Sequence, residues 1–91
     1  MISVKNEKTI QILNDLLFSR KIEGSAIRSI EIVRVNSGGS VEVKVINKAG
    51  KIMTNLIHDM DLLLKSEHIK SYSVSHTSDM VAVFEVVMNK E

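Results

Sequence analysis

The sequence predicts an α+β domain of the order helix–hairpin–helix–hairpin (αββαββ), a four-stranded antiparallel sheet packed with two helices. Three observations lead there. The spacing of apolar residues switches along the chain between a helical period of 3.6 and a strand period of 2. Proline is absent and glycine occurs only at 24, 38, 39 and 50, so a few turns punctuate long regular segments. Ninety-one residues are enough for one hydrophobic core and too few for two, so residues 1–91 read as a single domain.

Residues 6–22, NEKTIQILNDLLFSRKI, carry Ile10, Leu13, Leu16 and Leu17 at helical spacing, with Ile12 widening the stripe. Asn6 is placed to cap the start, Glu7 lies in the first turn, and Arg20 and Lys21 suit the negative end. Gly24 is placed to take the left-handed conformation that stops a helix. Phe18 and Ile22 lie off the stripe and are expected against a loop or the first hairpin.

Residues 27–35, IRSIEIVRV, form a strand whose alternation changes phase. Ile30 and Ile32 are even, Val33 and Val35 odd, and a bulge near Ile32–Val33 would bring all four to one face. NSGGS at 36–40 is a hairpin turn, with both glycines expected at positive φ. The strand 41–47 alternates cleanly, with Val41, Val43 and Val45 inward and Glu42 and Lys44 outward.

NKAG at 47–50 turns the chain again, and KIMT reads as a short extended piece. The strongest helical pattern follows. Met53, Leu56, Ile57, Met60, Leu63 and Leu64 fall within about one third of the helical circle at 100° per residue. With Thr54 as cap, this helix is expected over 55–66, with Leu62 pointing away. Residues 69–76 read as a polar edge strand, with Tyr72 and Val74 opposite Ser71, Ser73 and Ser75.

The last strand, MVAVFEVVM at 80–88, is apolar on both faces apart from Glu85. Two helices cover one face of a four-stranded sheet, or they split between the two faces as a sandwich. In the first case Val81, Val83 and Val87 form an apolar stripe that needs a cover, a second copy of the chain or another protein. Val81, Val83, Glu85 and Val87 are therefore the candidate self-association face.

Chemical motifs are not found. With no cysteine, disulfides, thiolate nucleophiles and cysteine zinc sites are excluded. His58 and Asp61 are one helical turn apart, but on the solvent side, and no third ligand joins them, so no metal or other cofactor is expected. Ser71, Ser73, Ser75 and Ser78 surround His76, with Asp79 following. These are triad residue types without a nucleophile turn, and serines on an exposed strand explain them. NSGGS lacks the lysine and following helix of a phosphate loop. The chain is thus expected not to be an enzyme.

Charge is uneven. Residues 28–51 hold Arg28, Arg34, Lys44, Lys48 and Lys51 against Glu31 and Glu42, a net of +3, while residues 52–91 carry a net of −3. A basic two-stranded ribbon fits a DNA groove, so nucleic-acid binding by the first hairpin is the alternative function. Interleaved glutamates and a whole-chain net charge of only +1 weigh against it. The longest uninterrupted apolar runs are three to five residues, and the N-terminus lacks the apolar stretch of a signal peptide. A cytoplasmic protein without a membrane partner is expected. Nine lysines against three arginines, with only three alanines, reflect AT-rich codons and point to a low-GC bacterium or its phage. The leading expectation is a small, self-associating interaction module of the phage or mobile-element accessory kind.

Overall fold

The computed structural model describes residues 4–18, 23–36 and 38–89. It has two helices and a four-stranded antiparallel sheet in the order αββαββ. The elements are α1 (Val4–Phe18), β1 (Ile27–Val35), β2 (Ser40–Asn47), α2 (Met53–Leu64), β3 (Ile69–Thr77) and β4 (Val81–Met88). The sheet order is β1-β2-β4-β3. Each hairpin is a neighbouring pair, and β2 and β4 join the hairpins antiparallel in the centre. β2 and β3 therefore run parallel, linked by α2, with β4 inserted between them. This is a split β–α–β crossover. β3 is an edge strand, as its serines suggest, and β1 is the other edge.

Both helices pack on the same face. The inward residues of the central strands, Val41, Val43, Val45, Ala82, Phe84 and Val86, are fully buried. Leu13 and Leu17 of α1 and Leu56, Met60, Leu63 and Leu64 of α2 close over them in one cluster. The sandwich arrangement is excluded, because helices on opposite faces would bury both sides of β2 and β4. The outward residues Val81, Val83 and Val87 are half-buried among their strand neighbours.

Several local expectations are corrected. α1 begins at Val4, so Asn6 lies inside the helix and is not its cap. Arg20, Lys21 and Ile22 fall outside the described residues. Phe18 is 53% exposed and does not tuck under the hairpin. α2 begins at Met53, with Ile52 as an extended N-cap residue that makes no side-chain cap, so Thr54 is not the cap, and the extended piece expected at KIMT gives way to helix from Met53 on. The carbonyl of Ile52 instead accepts the first helical bonds from the N–H groups of Asn55 and Leu56. The helix ends at Leu64, two residues short of the expected end, because Lys65 is extended.

The bulge in β1 lies between Ile32 and Arg34, as the phase change requires. It brings Ile30, Ile32 and Val35 against the core but leaves Val33 as the extra residue, 53% exposed. A bulge re-phases a strand by leaving one residue out of the ladder, so three of the four apolar groups turn inward. In the β1–β2 turn only Gly39 of the glycine pair has positive φ, at 91°. Its N–H donates to the Asn36 carbonyl at 3.0 Å, and the Asn36 amide donates to the Ser40 hydroxyl at 2.9 Å. Gly24, at φ 71°, has the left-handed conformation expected after the first helix.

Candidate functional site: the open face of the sheet

The face opposite the helices is built by the even residues of β2 and the odd residues of β4. Cross-strand register pairs Ile46 with Val81, Lys44 with Val83, Glu42 with Glu85 and Ser40 with Val87. β1 adds Ser29 beside Ile46, Glu31 beside Lys44 and Arg34 beside Glu42. β3 adds His76 beside Val83, Ser73 beside Glu85 and Ser71 beside Val87. Val81 and Val83 thus form an apolar corner with Ile46, while Glu85 separates Val87 from them. Ile46 extends the candidate face beyond β4. Its signal was the period-two pattern of VEVKVIN, which puts Ile46 on the side of Glu42 and Lys44.

Electrostatics on this face are uneven. Arg34 Nε lies 3.4 Å from Glu42 Oε2, an ion pair whose arginine is exposed and whose glutamate is half-buried. Glu85 faces Glu42 directly across β2–β4, a like-charge juxtaposition that is destabilising in a sheet. Among the described residues Glu85 and Lys44 make no ion pair within 4 Å.

The basic residues of the first hairpin do not gather. Arg28 and Arg34 lie on edge strand β1, Lys44 points out from β2 between Glu31 and Val83, and Lys48 and Lys51 are exposed in the β2–α2 connection. Glutamates interrupt the set at Glu31 and Glu42, the latter paired with Arg34.

His58 and Asp61 are exposed, and no group of three or more metal-ligating side chains converges among the described residues. On β3, Ser75 donates its hydroxyl to the Val83 carbonyl at 3.1 Å, a bond to the neighbouring strand and not to His76. A broad groove of about 1010 Å³ lies between α1, the β1–β2 turn and the ends of β3 and β4. Lys8, Thr9, Gly39, His68, Lys70 and Met88 are among its lining residues. The two buried polar side chains of the described residues, Asn47 and Asp59, lie elsewhere, so the groove has no desolvated polar group to orient a ligand.

Neither of those buried polar side chains belongs to a motif in the sequence. Asp59 accepts hydrogen bonds from the Ala26 N–H at 2.7 Å and the Ser25 hydroxyl at 3.3 Å. Ser25 Oγ in turn accepts from the Ile27 N–H at 3.0 Å. Asn47 donates its amide to the Lys51 carbonyl at 2.7 Å, and its Oδ1 is buried without a partner among the described residues. Asp59 had a visible signal, since it sits about 40° from Leu63 on the helical circle, at the edge of the apolar stripe. Both are structural ties at the end of the sheet where β1 starts and β2 ends.

Fold and face together define a two-layer α+β domain with one sheet face left open by the described residues. No protein-family model, curated protein or solved structure matches the chain. No helix among the described residues is long and apolar enough to cross a membrane.

Proposed function

We propose that this chain is a non-enzymatic interaction module that self-associates through the open face of its sheet. The observation that carries the reading is the packing of both helices on one face, with Ile46, Val81, Val83 and Val87 on the other. Apolar groups left in water forgo about 25 cal/mol for each Å² that burial would remove. A second copy is a suitable cover, because a two-fold axis sets one patch against itself. β4 lies in the centre of the sheet with both its edges paired, so its contribution is through its face and not through added strand pairing.

Size sets the expected strength. Four strands about 4.8 Å apart, with eight or nine residues each rising about 3.4 Å, make a face on the order of 500 Å². A stable interface takes about 800 Å² per partner. The association is accordingly weak and concentration-dependent. Composition supports a cytoplasmic setting and a low-GC bacterial or phage source.

Sedimentation velocity at two protein concentrations tests the reading. A rise in mass with concentration is expected, and Val83→Glu should shift the protein toward monomer while leaving its helical circular dichroism intact. A wild-type chain that stays monomeric at high concentration would overturn the proposal.

A further inference from the structure

Resting on that reading, we infer that the second copy docks about a two-fold axis beside Val83, with Lys44 of each copy paired to Glu85 of the other. The observation is a self-complementary charge pattern around the most central outward valine. Lys44 is the cross-strand neighbour of Val83, and Glu85 lies two residues further along Val83's own strand. The two charges flank Val83 on a diagonal of about 7–8 Å, the spacing of diagonal neighbours in a sheet.

Their partners within the chain are poor. The carboxylate beside Glu85 is Glu42, which repels it and is itself occupied by Arg34 at 3.4 Å. Ser73, its neighbour on the other side, brings no charge. Lys44 has Glu31 beside it on edge strand β1, yet no ion pair forms within 4 Å among the described residues. An opposing surface that offers a cation over Glu85 and an anion over Lys44 answers both at once, and this same surface offers them.

Geometry then fixes one axis. A two-fold axis in the plane between two facing sheets exchanges points across a line. If that line bisects the Lys44–Glu85 diagonal at a right angle, each Lys44 falls over Glu85 of the second copy, and the relation occurs twice. The crossing diagonal joins Val83 to Glu42, so both lie close to the line and each meets its own counterpart, Glu42 with its Arg34 partner beside it. An axis that paired Lys44 with Glu31 instead would move the contact toward edge strand β1 and leave Val83 off centre. Partial burial of the two pairs beside the valines makes them determinants of register and specificity more than of raw affinity.

Charge exchange is the test. Lys44→Glu and Glu85→Lys alone should each raise the dimer dissociation constant by roughly tenfold or more, because each sets like charges together twice. The double variant K44E/E85K should return it to near the wild-type value, and the wild-type dimer should weaken with added salt. The neutral variants Lys44→Gln and Glu85→Gln serve if a reversal disturbs folding, and each should weaken the dimer less than the corresponding reversal. A carbodiimide cross-link between Lys44 and Glu85, in a mixture of ¹⁵N-labelled and unlabelled chains, should join labelled to unlabelled peptides. If the wild-type chain dimerises and Val83→Glu disrupts it, but no such mixed cross-link forms and the double variant is no tighter than the singles, the axis is wrong and self-association stands. A wild-type chain that never dimerises overturns both.

Discussion

The carboxylate of Asp59, on the core-facing edge of α2, accepts a 2.7 Å hydrogen bond from the backbone N–H of Ala26, thirty-three residues earlier. Ala26 is itself buried, so this N–H has no water to turn to. The bond ties the crossover helix to the start of edge strand β1, and Ser25 reinforces it through its own hydroxyl. It helps to hold α2 on the face shared with α1, and so bears on which face of the sheet is left open.

Removing that acceptor should therefore be felt. Asp59→Ala should cost about 1–3 kcal/mol, the range for stranding a buried donor. Urea unfolding monitored by circular dichroism measures it. A change under half a kcal/mol would mean that Ala26 finds another acceptor without loss.

Leu63, nearly fully buried on α2, belongs to the cluster that covers Val43 and Phe84. Leu63→Ala should destabilise by about 2–5 kcal/mol through lost burial and the cavity left behind. Much of the total stability of so small a domain is of this size. Retention of wild-type stability would place this stripe outside the core.

Gly39 isolates a backbone effect. Its φ is 91°, and an added Cβ would meet nothing within 4 Å, so no clash enters. Gly39→Ala should still cost about 1–2 kcal/mol from the left-handed strain alone. Gly38→Ala, with equal space and no positive φ, should cost less. Equal losses at the two positions would refute the assignment of the turn.

Nucleic-acid binding by the first hairpin would have a distinct signature. Contacts from Lys44 and Lys48 to phosphates would weaken steeply with salt and vanish in K44E/K48E. With Glu31 beside Lys44 and Glu42 holding Arg34, no mobility shift of mixed DNA or RNA fragments is expected at low salt. A shift with that salt slope, abolished by the double variant, would move the function from the open face to the hairpin.

The order and type of all six elements were legible in the residues, because each depends on a local period. Met53 through Leu64 repeats as a helix does, and Val41 through Val45 alternates as a strand does, whatever packs against them. The phase change at Ile32–Val33 even announced its bulge, although only pairing with β2 decided that Val33 would be the residue turned outward. Strand order, the common side of the two helices and the burial of Asp59 and Asn47 were decided by tertiary structure. Each depends on which distant groups meet. Asp59 is an ordinary polar residue beside an apolar stripe until the Ala26 N–H arrives to satisfy it. Alternation alone places Val81, Val83 and Val87 together on one side of β4, opposite Phe84. That the described helices leave this side open follows only from both of them packing over Phe84 on the other.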